Sequence, residues 1–150
     1  VTRSVLKKLL PEVVLAVPFP KSMRWADLDI TFARPIHTIV ALLGDKTIPF
    51  RVGNIKSGRN SCGHLFMAPG KVKLSRAGAY TDALRQAHVI ADIDARRRLV
   101  VAEVTRAAAA AGGSVLADEA LVDIVTNLVE NPVATRAVSK RNSWKFPRKF

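Results

Sequence analysis

Apolar residues at Val5, Leu6, Leu9, Leu10, Val13 and Val14 recur at intervals of three and four, which predicts an amphipathic helix at the start of the chain. Pro11 lies inside that pattern. Proline is at ease only near a first helical turn, so the helix is expected to break or to begin there. Pro18-Phe19-Pro20 ends it, because each proline biases its predecessor toward extended backbone. Ile30 to Leu43 is rich in apolar and β-branched residues and reads as strand, interrupted at Arg34-Pro35 by an edge or a bulge. Gly44-Asp45 predicts a turn into a second strand over Lys46 to Val52, and hence a hairpin. The Gly, Ser and Asn clusters of Asn54 to Gly63 read as a loop, and Val72 to Leu74 as a short strand.

The pattern then changes period. Tyr80 to Ala87 predicts a short helix with Ser75 or Thr81 as cap, and Asp92 to Ala111 a longer one. Asp92 and Asp94 suit the positive end of its dipole, Val100, Val104, Ala108 and Ala111 form its stripe, and Gly112-Gly113 stops it. A last helix spans about Asp118 to Glu130, with Leu121, Ile124, Val125 and Leu128 on one face and Asn131-Pro132 at its end. Sheet followed by helices gives an α+β class: an N-terminal helix, a small antiparallel sheet region over about 28–75, and a helical second half over about 80–131. Residues 1–134 read as a single α+β segment and 135–150 as a flexible basic tail.

Composition narrows the function classes. The chain has 150 residues, 49% of them hydrophobic and 24% charged, enough for one packed domain and against wholesale disorder. No apolar run reaches membrane-spanning length. The single cysteine, Cys62, permits no internal disulfide and points to a reducing, cytoplasmic setting. The chain reads as a soluble piece cut from something longer, for it begins without Met and carries no signal-peptide pattern. Net charge is +12, from 24 basic and 12 acidic residues, and half of that excess sits in 135–150. Such a charge favours polyanions, nucleic acid above all.

Catalytic patterns are thin. There is no Gly-x-Gly-x-x-Gly and no phosphate-binding Gly-Lys-Ser/Thr loop. His37, His64 and His88 have no metal-site spacing, Cys62 beside His64 reads as a packed residue, and Asp27 with Asp29 as solvated strand flanks. Arg96-Arg97-Arg98 reads as the wet face of its helix. Lys21-Ser22-Met23-Arg24-Trp25 is stronger, with two cations for phosphates and an indole that either offers a stacking face or anchors the helix-to-sheet junction.

Pro18-Phe19-Pro20-Lys21-Ser22-Met23-Arg24-Trp25, Phe32-Ala33-Arg34-Pro35-Ile36-His37, Leu42-Leu43-Gly44-Asp45 and Gly63-His64-Leu65-Phe66 resemble, in order and spacing, the beta subunit of bacterial glycyl-tRNA synthetase. The likeness covers about residues 5–134. It implies an internal piece of the N-terminal half of a longer beta chain, followed in the family by an HD-type domain and an anticodon-binding domain. That enzyme is a heterotetramer of two alpha and two beta chains that joins glycine to its tRNA. The resemblance places ATP and magnesium in the alpha subunit and no cofactor in this fragment, which is expected to be inactive alone. The implied partners are the glycyl-tRNA synthetase alpha subunit and tRNA, with no membrane. Candidate tRNA or partner contacts are Lys21, Arg24, Trp25, Arg34, Arg59 and His64. Three departures stand out: Leu65 where the family usually has a base, a shorter stretch between Pro11 and Pro18, and a basic run after Ala134 where the family is acidic. The rival reading is a small free-standing basic module that binds nucleic acid without sequence preference.

Overall fold

The computed structural model describes residues 2–25 and 28–137. The chain divides into two compact units, Val1–Ala91 and Asp92–Phe150. The class is α+β, with a helix, then short strands, then helices. Among the described residues no helix is long and apolar enough to cross a membrane.

The first unit opens with α1 (Thr2–Leu15). Leu6, Leu10 and Val14, one turn apart on a single face, look across a small apolar cavity at Ile39 to Leu43, Ile48 and Phe50. Arg3 donates to the Thr47 carbonyl at 2.8 Å. Pro11 lies inside this helix without ending it, contrary to the break its position predicts. Proline removes one N–H, and the interior cost of about 3 kcal/mol is offset by the apolar face on either side of it. Leu15 is the last helical residue before Pro18-Phe19-Pro20, and Phe19 meets Phe32 edge-on with centroids 4.6 Å apart.

Among the described residues, nine strands of two to four residues follow. β1 (Met23–Arg24) and β2 (Thr31–Phe32) form an antiparallel pair. β3 (Ile39–Val40) lies parallel to β7 (Ile55–Gly58), which pairs antiparallel with β6 (Arg51–Val52). β4 (Leu42–Leu43) and β5 (Lys46–Thr47) are the hairpin expected around Gly44-Asp45. β8 (Asn60–Cys62) pairs with β9 (Lys71–Lys73). Two expectations fail here. Lys46 to Val52 is two strands rather than one, because Pro49 cannot donate to a ladder. The Ser57 hydroxyl repairs that gap, donating to the Ile48 carbonyl at 2.7 Å and accepting from the Phe50 N–H at 2.8 Å. Asn54 to Gly63, read as loop, holds β7 and β8, and Ser57 serves the sheet there through its side-chain bonds.

Trp25, Ala41, Ile48, Val52, Leu74 and Leu84 are the buried apolar residues of this unit, and Leu74 is fully enclosed. Gly53, at φ +57° in the β6–β7 turn, sits in the left-handed region that favours glycine, and a Cβ there would also press on the Leu28 side chain, with Cδ1 2.7 Å away. α2 (Tyr80–Gln86) has neither Ser75 nor Thr81 as cap. It is entered through a 3₁₀ turn, Ala77–Ala79, whose Ala77 N–H is taken by the Gly44 carbonyl at 2.7 Å.

The second unit is an α-hairpin of α3 (Ile93–Ala110) and α4 (Glu119–Leu128). Asp92 and Asp118 cap the two helices, accepting from the Ala95 and Leu121 N–H groups at 2.9 Å each. Gly112, at φ +71°, follows the C-terminus of α3. Its interior holds Val100 and Thr126, with the Thr126 hydroxyl donating to the Val122 carbonyl. The stripe expected to be buried on α4 is partly wrong, for Leu121, Ile124 and Leu128 are exposed and Val122, Val125 and Val129 are more enclosed. A helix apolar on two faces does not say which one its neighbour takes.

Candidate functional site

The six candidate contacts separate into structural and presented groups. Trp25 is 8% exposed, so its indole is packed near Gly53 and offers little stacking face. Arg24 is held within its own hairpin, donating to the Leu28 carbonyl at 3.2 Å and pairing with Asp29 at 2.6 Å. Arg59 is half-buried and latches the β4–β5 turn, donating to the Asp45 carbonyl at 2.9 Å and to Thr47 Oγ1 at 3.3 Å. His64 is a turn-former: its Nδ1 accepts from the Phe66 and Met67 N–H groups at 3.3 and 3.2 Å, which leaves the ring proton on Nε2. Lys21 and Arg34 are exposed on separate segments. The structure therefore does not bring these six together as one site. Asp27, read with Asp29 as a solvated strand flank, lies outside the described residues, as do residues 138–150 of the basic tail.

Among the described residues no three His, Cys, Asp or Glu side chains gather as metal ligands. A cavity of about 580 Å³ in the first unit is lined by Thr38, Val40, Leu42, Ser61, Leu74, Ala77 and Tyr80, a lining without a carboxylate or imidazole for acid–base work.

The stronger feature was missed by motif reading. Between Asp45 and Asp82 the chain has no acidic residue, yet it carries Lys46, Arg51, Lys56, Arg59, Lys71, Lys73 and Arg76. That segment folds as β5 to β9, strands of three separate small sheets in the first unit, so its cations are carried on folded backbone rather than strung along a coil. Arg51 stands directly opposite Lys56 across the β6–β7 ladder, and both are exposed. Like charges in that position repel. No ion pair relieves them, nor Lys71 or Lys73, among the described residues. A scan for acid-free runs would have found the segment; a search for dense motifs does not, because its cations are spaced two to twelve residues apart.

The arginines of the second unit behave oppositely. Arg97 keeps 38% of its side chain exposed, as a wet face implies, yet it is engaged there: it bonds both Glu119 and Asp123 of α4, the latter at 2.8 Å. The bonds to Asp123 and then Glu119 hold its guanidinium even more firmly protonated than usual. Arg96 donates to the Thr126 carbonyl at 2.8 Å. Arg106 pairs with Glu103 at 2.7 Å, and Glu103 also accepts from the Ala134 N–H at 3.3 Å. Those two bonds, Arg106 first, hold the Glu103 carboxyl below its ordinary value of 4.5.

Comparison with known proteins agrees with the motif resemblance. The family pattern described as glycyl-tRNA synthetase beta subunit matches residues 1–149, running past Ala134 where the motif resemblance ends. A glycine–tRNA ligase beta subunit of Desulforapulum autotrophicum is 50% identical over 131 residues, 87% of this chain and 19% of that protein. Those of Myxococcus xanthus and Citrifermentans bemidjiense are 48% identical over 85% of the chain and 44% identical over 98% of it. The chain spans about a fifth of the length of these curated relatives. It belongs to the glycyl-tRNA synthetase beta subunit family.

Proposed function

We propose that this chain is the tRNA-handling portion of a glycine–tRNA ligase beta subunit, acting in the cytoplasm beside an alpha subunit that holds ATP, magnesium and glycine. The observation that carries this reading is the acid-free, cation-bearing sheet region of residues 46–81 in a chain of this family. Cations without acidic partners lose little when they exchange water and counterions for phosphate, and each contact releases condensed ions from the RNA. No catalytic step is assigned to the chain; its part is to hold tRNA, with ground-state binding that positions the acceptor for chemistry elsewhere.

Crosslinking of glycine tRNA to the intact alpha–beta enzyme tests the reading. Peptides from 46–81 are expected to carry crosslinked nucleotides, and those from 92–134 are not. Crosslinks confined to other parts of the enzyme would contradict it. Glycine-dependent pyrophosphate exchange by the beta chain without alpha would equally contradict the division of labour.

A further inference from the structure

The β8–β9 hairpin presents an unusual tip. Leu65, Phe66 and Met67 are 71%, 85% and 51% exposed, three consecutive apolar side chains in water. The turn that displays them is nonetheless tightly built. Gly63 N–H donates to the Gly70 carbonyl, His64 N–H to the Ala87 carbonyl, and Ala68 N–H to the His64 carbonyl, at 2.9 to 3.2 Å. The His64 imidazole closes the tip from inside through its two backbone bonds. Gly63 is needed for this closeness, because a Cβ there would stand 2.5 Å from the Ala68 carbonyl oxygen. The tip is a fixed platform rather than a frayed loop.

Its surroundings choose the partner. Lys71 and Lys73 leave the tip on β9, opposite Cys62 and Asn60, and all four are exposed, while Ser61 and Val72 between them are more enclosed. The pleat therefore sets both ammonium groups on one face, roughly 7 Å apart along the strand, close to the step between successive phosphates of an RNA chain. No acidic residue interrupts the sequence from Lys46 to Thr81. An aromatic ring on the tip and two cations on the strand that leaves it match a strand of unpaired nucleotides: the ring stacks a base and the cations take the phosphates. A protein partner of ordinary mixed charge would find no acid to pair with on the hairpin itself. A platform already ordered also loses little entropy on binding.

We propose that the hairpin tip stacks an unpaired base of tRNA on Phe66 while Lys71 and Lys73 hold the adjoining phosphates; this rests on the tRNA-handling reading above. The intact beta chain, assembled with its alpha partner, is titrated with a glycine tRNA transcript at one fixed salt concentration. Phe66→Ala and Phe66→Leu are expected to weaken binding roughly 5- to 100-fold, the worth of one base–aromatic stack. Phe66→Trp is expected to keep wild-type affinity and to add fluorescence quenching on tRNA binding. The side chain is exposed, so melting temperatures should match the wild type. Phe66→Leu binding like the wild type would overturn the proposal, since an apolar knob without a π-face would then suffice. Full tRNA binding by Phe66→Ala with loss of alpha-subunit association would overturn it in favour of a protein contact. If the wild-type protein binds no tRNA, the broader reading of function fails first; if it binds and every Phe66 variant binds equally, this proposal alone fails.

Discussion

The two units use the same side chains for different ends. Residues 1–91 carry 14 Lys and Arg against five Asp and Glu, whereas residues 92–134 carry four against seven. In the first unit the single ion pair among the described residues is Arg24 with Asp29. In the second, Arg97 and Arg106 are bonded to carboxylates and Arg96 to a helix carbonyl. An arginine closed by acids spends its fork on joining helices and has little left for phosphate. A lysine on a strand facing another cation is weakly placed for stability and well placed for a polyanion. Net charge alone conceals this, because +12 averages an attracting region with one that repels.

The comparison can be strained at its scaffold first. Leu74 is fully enclosed and follows Lys73 at once, its N–H donating to the Arg59 carbonyl at 2.8 Å. Leu74→Ala is expected to cost about 2–5 kcal/mol in chemical unfolding and to weaken RNA binding only as far as it unfolds the hairpin. Intact stability with lost binding would show that the cations do not depend on this core.

In the second unit, Asp118→Ala removes the α4 cap and should cost about 0.5–2 kcal/mol, seen as faster amide exchange in the first turn of α4. Affinity for tRNA should stay constant; a parallel loss would bring the second unit into the RNA interface and blur the distinction.

The smallest effect is a pH dependence. Glu103 titrates below 4.5 in the folded chain because Arg106 and the Ala134 N–H hold its charged form. Its contribution is therefore present at neutral pH, persists down to the unfolded value, and is lost as pH falls through the lower folded value. The stability difference between wild type and Glu103→Gln should shrink on acidification through that range. A difference that grows instead would show that the carboxylate is a burden rather than a clamp.

These contrasts also explain what the sequence made legible. The second-half helices were readable because their ends are written in local chemistry, Asp92 and Asp118 at the caps and Gly112 after α3. The strands were readable only in part: the turn at Gly44-Asp45 marks the β4–β5 hairpin and Val72 marks β9, but strands of two to four residues are too short for an alternating pattern to show the rest. Ser57 looks like a loop residue and is a sheet residue, because its hydroxyl joins Ile48 and Phe50 around Pro49. Pro11 misled in the other direction, since tertiary contacts on both sides of it carry the helix through. Local density of cations and aromatics points to Trp25 and Arg24, but Trp25 is buried and Arg24 is paired with Asp29 at the surface of its own hairpin. Whether a cation is free or paired depends on which acids the fold brings near, and only an acid-free stretch such as 46–81 reveals that in advance.

The salt dependence of tRNA binding tests the central contrast most directly. Log affinity against log salt should lose roughly 1.4 to 1.8 from its slope in Lys71→Ala/Lys73→Ala, two phosphate contacts at about 0.7 to 0.9 each. Arg97→Ala/Arg106→Ala should leave the slope unchanged even as it loosens the α3–α4 pair. An unchanged slope in the first variant, or a flattened one in the second, would contradict the assignment of phosphate contacts to Lys71 and Lys73 and of structural bonds to Arg97 and Arg106.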